Sequence, residues 1–424
     1  MQPRQPSGLR SANVNHNKVS AGAMPGWEKE EESMSGSDVT RREFLHKSAI
    51  GASVLALGVG GQARAARSGD EVVVGFIGVG GRGTHLLRKT AVIGGVRIGA
   101  VCDLKTDRAA RAQQAAEKQG HKPKAYTDFR EMMEKEKLDG IIVATEVGNH
   151  AKVAVPVLEA GYHVFCEKPM DTTVERVDAF TRAARKAKGI CQIGFQRHYN
   201  VGYVKAVERI HEGDLGKPVF LQGQWHWTWN VGTGGWLNDM DLGGGELVEQ
   251  AGHHMDVMAW VMKYEHPIEC VAMANIARDL GDTATPVSED HSALAFRFPG
   301  NAIFSYTHLF LCPKAWEAEK MWVYGRHWGV DLVSSELHIK DKTEPIAESS
   351  GTDWDKGTEG ELEAFCDNIR NGGKEKPLSN IETARVATLM CLMGRQAFRE
   401  LDSNTFVSRV VKWEDLGSTT DPSA

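Results

Sequence analysis

The arrangement of apolar and polar residues changes along the chain near residue 200. Between residues 71 and 197, short apolar runs alternate with segments whose apolar residues recur at helical spacing. One short run, at residues 138–145, is typical of a central parallel strand with both faces covered. This alternation predicts a doubly wound parallel sheet, which binds ligands at the carboxyl ends of its strands.

Beyond residue 200, the pattern predicts long strands that are joined by loops. Successive strands without helices between them are typical of an antiparallel sheet. The predicted strands cover residues 219–229, 268–278, 291–298, 302–310, 320–326 and 332–339. Two predicted helices, at residues 359–371 and 381–401, would cover or flank this sheet. A chain of 424 residues has room for these two domains and for extensions.

The first stretch with chemical meaning follows the first predicted strand. Residues 72–77 lead into Gly78, Gly80 and Gly83, which are spaced G-x-G-x-x-G before a helical pattern. In such a turn the first glycine permits the bend, the second admits a pyrophosphate, and the third lets helix and strand pack closely. Free N–H groups at the helix N-terminus then bind the phosphates. A glycine-rich turn in another kind of βαβ unit is the alternative.

An acidic residue after the second strand supports the dinucleotide interpretation. Asp103 ends the apolar run 96–102, twenty residues after Gly83. A carboxylate at this place accepts hydrogen bonds from the adenosine ribose and repels a 2′-phosphate. The sequence therefore predicts NAD as the cofactor, and NADP remains the alternative.

A second informative stretch, residues 243–256, contains three glycines followed by acidic and histidine residues. If it is helical after the glycines, Glu249 and His253 lie one turn apart on one face. A histidine can remove a proton from a hydroxyl near neutral pH, and a carboxylate one turn away can orient it. His254 and Asp256 are interpreted as ordinary structural groups. No metal site is predicted, because adjacent histidines point in different directions and no third ligand has suitable spacing.

Several tryptophans could contact a sugar ring. Trp225, Trp227 and Trp229 share one face of a predicted strand, and aromatic faces bind the apolar side of sugars. Core packing or a subunit interface would also explain them, and we favour the interface. Trp236, in the glycine-rich loop before the second informative stretch, is the better candidate for substrate binding.

The N-terminal region predicts export. Residues 1–40 are polar and are expected to be disordered. At residues 41–65 a twin arginine, Arg41 and Arg42, precedes a short apolar segment and an A-x-A sequence, as in a bacterial twin-arginine signal. This export machinery carries folded proteins, which suits an enzyme with a tightly bound dinucleotide. We therefore expect a periplasmic or extracellular protein.

Composition excludes some classes of partner. The formal net charge of −6 gives no basic surface for nucleic acid. The seven cysteines are far apart, which argues against a disulfide scaffold and against zinc ligation. A small-molecule ligand is the expected partner.

Taken together, the motifs resemble the Gfo/Idh/MocA family, which includes glucose-fructose oxidoreductase and inositol dehydrogenase. The resemblance covers about residues 71–412. Besides the glycine turn and Asp103, it depends on Glu167-Lys168-Pro169, on Gly194-Phe195-Gln196-Arg197, and on the pattern GGGxLxxxxxHxxD in residues 243–256. It implies an N-terminal Rossmann domain at 70–197, a C-terminal substrate-binding and oligomerisation domain at 198–412, and a tail at 413–424. The C-terminal domain would contain an open-faced, mostly antiparallel sheet with flanking helices.

The resemblance also implies an activity and a set of site residues. It implies an NAD(P)-dependent oxidoreductase that acts on a sugar, sugar derivative or polyol, assembled as a homodimer or homotetramer through the C-terminal sheet. Alternatives are a glycosidase that oxidises its substrate transiently and a dinucleotide-binding protein without turnover. The catalytic residues would be Lys168, Glu249 and His253, which would bind substrate together with Arg197 and Trp236. Cofactor contacts are assigned to Gly78, Val79, Gly80, Gly81, Arg82, Gly83, Asp103, Thr145, Asn149, His150, Glu167, Lys168 and Arg197.

Overall fold

The computed structural model describes residues 71–228, 235–277, 287–347, 354–400, 403 and 405–420. The predicted extension and signal at residues 1–65, and Trp229, lie outside this part of the chain. Within it, no helix is long and apolar enough to cross a bilayer.

A six-stranded parallel sheet forms from the first third of the described chain. Its spatial order is β3-β2-β1-β4-β5-β6, so the strand order reverses between β1 and β4. This reversal creates the crevice in which doubly wound sheets bind dinucleotides. The strands are β1 (Val72–Ile77), β2 (Val96–Cys102), β3 (Lys124–Tyr126), β4 (Gly140–Val143), β5 (His163–Cys166) and β6 (Cys191–Ile193).

Helices cover both faces of this sheet, as the alternating pattern predicted. The strands β1, β4 and β5 are almost fully buried, which explains their continuous apolar character. One of these helices is capped by Asp128, whose side chain accepts a hydrogen bond from Arg130 N–H. The helices are α1 (Gly81–Thr90), α2 (Thr106–Glu117), α3 (Phe129–Lys135), α4 (His150–Glu159) and α5 (Val174–Lys186).

After α6 (Val201–His211), a second sheet forms, with the order β14-β13-β12-β11-β7-β10-β9-β8-β15 among the described residues. Most of its pairs are antiparallel, and the predicted fold class is confirmed. One pair, β10 with β7, is parallel, which simple strand succession did not predict. The strands are β7 (Phe220–His226), β8 (Glu269–Asn275), β9 (His291–Arg297), β10 (Ile303–Leu309), β11 (Ala318–Tyr324), β12 (Trp328–Asp331), β13 (Glu336–Ile339), β14 (Lys342–Pro345) and β15 (Val410–Lys412).

The two faces of the second sheet differ in burial. On one face α8 (Gly252–Val261) and α10 (Ile381–Phe398) contribute to one apolar core with the strands. On the other face, alternate positions leave apolar side chains exposed: Phe220, Val271, Met273 and Ile303. This face has the open character that the resemblance implied.

The expectation that both C-terminal helices cover or flank the second sheet is wrong for the first of them, which packs on the first sheet. The helix α9 (Trp354–Arg370) buries Leu362, Phe365 and Cys366 in the core of the first sheet. The ring of Phe365 packs edge-on against Phe165 of β5, with 5.9 Å between centroids. The chain therefore returns to the first sheet after completing most of the second.

The part of the predicted C-terminal tail that the structure describes is bound to the helix α5. Hydroxyl groups of Ser418, Thr419 and Thr420 donate hydrogen bonds to the carboxylate of Asp178 on α5, at 2.7 to 3.0 Å. Burial alone would raise the pKa of Asp178, but these bonds and the Thr419 N–H lower the pKa below its usual value. The segment thus fastens the end of the chain to the first sheet's helix layer.

Candidate active site

The glycine-rich turn after β1 has the close contacts that its sequence predicts. Gly78 has a φ of +83°, and a Cβ there would lie 2.6 Å from the carbonyl oxygen of Ala144. A Cβ at Gly83 would lie 1.9 Å from the carbonyl oxygen of Gly78. At Gly81, by contrast, a Cβ would meet nothing within 4 Å, and no side chain caps the N-terminus of α1. The open helix terminus therefore has room for a pyrophosphate.

Asp103 follows β2 directly and holds the turn as well as lining the site. One carboxylate oxygen accepts a hydrogen bond from Val79 N–H at 3.0 Å, and the other accepts one from Lys105 N–H at 2.9 Å. Each carboxylate oxygen can accept a further bond. Asp103 can therefore fix the glycine turn and still accept hydrogen bonds from ribose hydroxyls.

A cavity of about 680 Å³ lies at the carboxyl ends of the first sheet's strands. Most residues that the sequence analysis assigned to the site line it. Val79, Gly83 and Arg197 do not. The assigned residues in its wall are Gly78, Gly80, Gly81, Arg82, Asp103, Thr145, Asn149, His150, Glu167, Lys168, Trp236, Glu249 and His253.

Lys168 and Glu249 form an ion pair in this cavity. Lys168 is the second residue after the end of β5. Its Nζ donates hydrogen bonds to the backbone carbonyl of Glu249 at 2.6 Å and to Oε1 of the same residue at 3.3 Å. Both side chains are largely buried, at 11% and 18% exposure. The ammonium is thereby held at a fixed place in the cavity wall.

The helix expected to carry Glu249 and His253 is interrupted. Glu249 is the last residue of the short helix α7 (Glu246–Glu249), and His253 is the second residue of α8. Only Gln250 and Ala251 separate the two helices, and both residues keep right-handed helical backbone angles, so the stretch is helical as assumed but divided into two segments. Both side chains nevertheless line the same cavity.

The imidazole of His253 is buried between aromatic rings. The ring of Phe195 meets it edge-on at 6.3 Å, and Trp225 stacks on it at 6.1 Å. Burial lowers the pKa of His253 well below its usual value, and the nearby cations Lys168 and Arg197 lower it further. The imidazole is therefore neutral at neutral pH, the state in which it accepts a proton.

The stacking on His253 also corrects the interpretation of the tryptophans. Trp225 is buried on the helix-covered side of the second sheet, so it does not form a subunit interface. Trp227 lies at the end of β7 and is 43% exposed. Trp236 begins a 3₁₀ helix (Trp236–Asn238) and lines the cavity, as predicted for a substrate contact.

Comparison with known families agrees with this geometry. The family model described as "Oxidoreductase family, NAD-binding Rossmann fold" (GFO_IDH_MocA) matches residues 72–195. The model of the GFO/IDH/MocA C-terminal domain matches residues 203–329, so that together they cover more than half of the chain. The chain belongs to the Gfo/Idh/MocA oxidoreductase family.

Within this family, the chain is similar to inositol dehydrogenases. An inositol 2-dehydrogenase of Salmonella paratyphi B is 32% identical over 194 residues, which are 45% of this chain and 55% of the relative. The chain thus spans about half the length of that relative. A myo-inositol 2-dehydrogenase of Thermotoga maritima is 24% identical over 362 residues, which are 81% of this chain and 99% of the relative.

The fold is also that of a solved family structure. The myo-inositol dehydrogenase of Lactobacillus casei, in complex with NAD(H) and myo-inositol, matches with a TM-score of 0.61 at 19% identity. The match covers 80% of this chain and 96% of that one. At this identity the similarity shows the fold.

Arg197 is one of the predicted site residues that do not line the cavity. Its guanidinium donates a hydrogen bond to Glu319 of β11 and lies 5.5 Å and 5.7 Å from the ring centroids of Tyr203 and Trp225. It does not line the cavity, so the predicted contacts with cofactor and substrate are not supported. The signal that would have revealed this, Glu319, lies far away in the sequence.

Arg82 is held by three groups from two parts of the chain, the residue before Lys168 and the helix α9. Its guanidinium donates to Glu167 Oε1 at 2.6 Å, to Glu361 Oε1 at 3.2 Å and to the Thr358 hydroxyl at 3.3 Å. Glu361 is fully buried, and burial raises the pKa of its carboxyl well above the usual value. Through Arg82, the helix α9 is fastened to the glycine turn and to the residue before Lys168.

The loop after β4 brings Thr145, Asn149 and His150 to the cavity. Asn149 stands at the N-terminus of α4, but its side chain makes no capping hydrogen bond with the helix. Its Nδ2 instead donates to Glu146 Oε2 at 3.3 Å. The buried His150 ring contacts the carbonyl oxygens of Pro169 and Thr145, at 2.7 and 3.1 Å, and so joins this loop to the Lys168 loop.

Other lining residues were not predicted as site residues. At the Asp103 end of the cavity, Lys105, Arg108 and Arg130 contribute positive charge. The wall also includes Glu146 and Gln196. Over the ranges that the structure describes, no group of three or more potential ligands could hold a metal ion.

Proposed function

We propose that the protein is an NAD-dependent dehydrogenase or reductase that interconverts a hydroxyl and a carbonyl of a polyol or sugar. The observation that carries the proposal is the cavity itself, where the glycine turn and Asp103 share walls with Lys168, Glu249 and His253. The names of the relatives, which are inositol dehydrogenases, support a polyhydroxylated substrate. A cyclitol such as myo-inositol is therefore the first substrate to test.

The residues that would hold the dinucleotide fit that group. Gly78 permits the turn, Gly80 and Gly81 leave room at an open helix N-terminus for the pyrophosphate, and Asp103 can accept ribose hydroxyls. When bound, the nicotinamide supplies the hydride acceptor or donor of the reaction. The carboxylate of Asp103 disfavours a 2′-phosphate, so we expect NAD to bind more tightly than NADP.

The side chains around Lys168 would act on the substrate. The ammonium donates a hydrogen bond to the reacting oxygen and stabilises the negative charge that develops on it. The neutral imidazole of His253 takes the proton from the hydroxyl during oxidation. Glu249 holds the ammonium through two acceptors, while its predicted role in orienting His253 stays a prediction.

A turnover assay tests this function. Purified protein is mixed with NAD, or with NADP, and a panel of cyclitols, pyranoses and aryl glycosides, and the absorbance of reduced nicotinamide is followed. We expect net reduction with a cyclitol or sugar and with NAD preferred. Release of the aryl group without net reduction would favour the glycosidase instead. Calorimetric binding of NAD without either activity would favour a protein without turnover.

We propose further that the protein is exported by the twin-arginine machinery. The support is the sequence at residues 41–65, together with seven free and buried cysteines, which suit folding in a reducing compartment before export. Replacing Arg41 and Arg42 together by lysine should keep the protein in the cytoplasm, as cell fractionation would show. Unchanged localisation of the double variant would contradict the proposal.

We also propose that two copies associate through the open face of the second sheet. Exposed Val271 and Met273 lie on β8, and such apolar area is typical of protein interfaces. Light scattering should give at least a dimer for the native chain. Substituting lysine at both positions should shift the mass towards the monomer, while a native monomer would contradict this assembly.

A further inference from the structure

Gln196, the residue before Arg197, lies in the cavity wall where Arg197 was expected. Gln196 begins the 3₁₀ helix Gln196–Tyr199 and lines the cavity that contains Lys168, Glu249 and His253. It is only 7% exposed. Its Oε1 atom has no hydrogen-bond partner among the residues that the structure describes.

Burying a carbonyl oxygen without a partner is unfavourable, and native proteins pair nearly all such groups. An unpaired acceptor in a cavity wall therefore indicates a donor that arrives with a ligand. The last torsion of a glutamine side chain is soft, so the carboxamide can turn towards such a donor. Glu249 Oε2 in the same wall also has no partner in the described chain, so the cavity offers acceptors to a ligand rich in hydroxyls.

Packing on both sides holds Gln196 in the wall of the cavity that also contains the reacting groups. The preceding residue, Phe195, meets the His253 ring edge-on. On the other side, α9 packs so closely that a Cβ on Gly357 would lie 2.8 Å from the Gln196 carbonyl oxygen and 3.4 Å from its Cγ. The side chain therefore has little space in which to turn away from the cavity.

We infer that the Gln196 carboxamide oxygen accepts a hydrogen bond from a substrate hydroxyl adjacent to the one that reacts. Gln196 is thus a specificity-determining residue, and the substrate class is a vicinal diol, as in cyclitols and pyranoses, not an isolated alcohol. This inference depends on the proposed function. A neutral acceptor suits the task because it can bind a hydroxyl without competing with Glu249 for the Lys168 ammonium.

The test compares the native chain with Gln196→Met, which keeps the length of the side chain and removes its hydrogen-bonding groups. The probes are myo-inositol, D-glucose and the monodeoxy derivatives of whichever of them binds. Turnover is measured with NAD, and calorimetry measures the binding of each probe to the NAD-loaded protein. We expect KM for the polyol to rise about three- to tenfold, the size of one lost hydrogen bond, with kcat less affected.

Three further results are expected if the role is recognition and not structure. With the native chain, one monodeoxy probe should show the same three- to tenfold rise in KM. With that probe, Gln196→Met should show no further rise in KM. NAD affinity should be unchanged. The conservative variant Gln196→Asn, which keeps a neutral carboxamide on a shorter side chain, should retain part of the discrimination against the deoxy probe.

Gln192→Met is the matched control. Gln192 lies on β6, is also buried, does not line the cavity, and donates a hydrogen bond from Nε2 to the Glu361 carbonyl at 2.8 Å. Its substitution should lower the melting temperature and leave the polyol KM unchanged. Should Gln196→Met fail to fold, Gln196→Asn and the deoxy series with the native chain decide the matter.

The outcomes separate this inference from the proposed function. If the native chain neither binds nor oxidises any polyol, the proposed function fails and the inference fails with it. If the native chain turns over polyols but Gln196→Met and every deoxy probe behave as native, only the inference is overturned. Weaker NAD binding with unchanged polyol binding would mean that Gln196 binds the nicotinamide carboxamide, which also overturns the assignment to substrate.

Discussion

Lys168→Ala should lower kcat/KM for the true substrate at least about 10³-fold, because a fixed donor is lost at the oxygen where charge develops. The structure gives a reason for a large effect. The Lys168 Nζ is held by the Glu249 carbonyl at 2.6 Å and by its carboxylate at 3.3 Å, so the donor is in position before substrate binds. Steady-state turnover with NAD and the best polyol measures the loss.

Two measurements separate chemistry from folding in this variant. Removing Lys168 leaves the largely buried Glu249 carboxylate without its cation, so the melting temperature should fall as well. Lys89→Ala is the control, because Lys89 pairs with Asp355 and Glu359 outside the cavity and should leave turnover nearly native. A folded Lys168→Ala variant with native turnover would show that the ammonium takes no part in the reaction.

The parts of the site that follow from the sequence are those that local rules determine. The turn after β1 requires glycine at Gly78 and Gly83, and the close contacts at both positions explain the spacing. Lys168 and Thr145 follow the parallel strands β5 and β4, so the topology of the sheet brings them to one edge. At these positions, a short segment and the strand before it are enough to determine where the residue lies in the fold.

The parts that could not be predicted depend on residues far apart in the chain. Arg197 and Gln196 are neighbours, yet Glu319 of β11 holds the first away from the cavity and α9 holds the second in its wall. The return of α9 to the first sheet depends on Leu362, Phe365 and Cys366 fitting that core, and a helical pattern does not say which sheet it will cover. The interruption at Gln250 and Ala251 is equally invisible in the spacing of Glu249 and His253.

The contacts of Glu249 matter for the division of roles. In one straight helix, Glu249 would sit one turn below His253 and could orient its ring. In the structure the Glu249 Oε1 contact is with Lys168, at 3.3 Å. The ion pair therefore assigns Glu249 first to the placement of the ammonium, and Lys168 and Glu249 should be energetically coupled when both are substituted.

His253→Ala should lower kcat about 10²- to 10⁴-fold, the usual size of a general base, with NAD affinity nearly native. The pH dependence gives a second, independent signature. Burial and the cations Lys168 and Arg197 lower the pKa of His253 well below 6.5, so the neutral, proton-accepting form persists into acid. The rate of oxidation by the native protein should therefore fall only at pH values below the ordinary pKa of histidine. This fall at acid pH, the acid limb of the profile, should be absent from the residual activity of His253→Ala.

His254→Ala is the matched control for that experiment. His254 is also buried, with a pKa lowered well below the usual value, but it packs against Tyr306 and Trp225 and does not line the cavity. Removing this buried ring leaves an empty space in the core, which should lower the free energy of unfolding. The acid limb of the pH profile and the affinity for NAD should stay native. If His254→Ala remained folded and lost the reaction while His253→Ala kept native turnover, the proton would be taken by the other face of α8, and the assignment of the base would have to move by one residue.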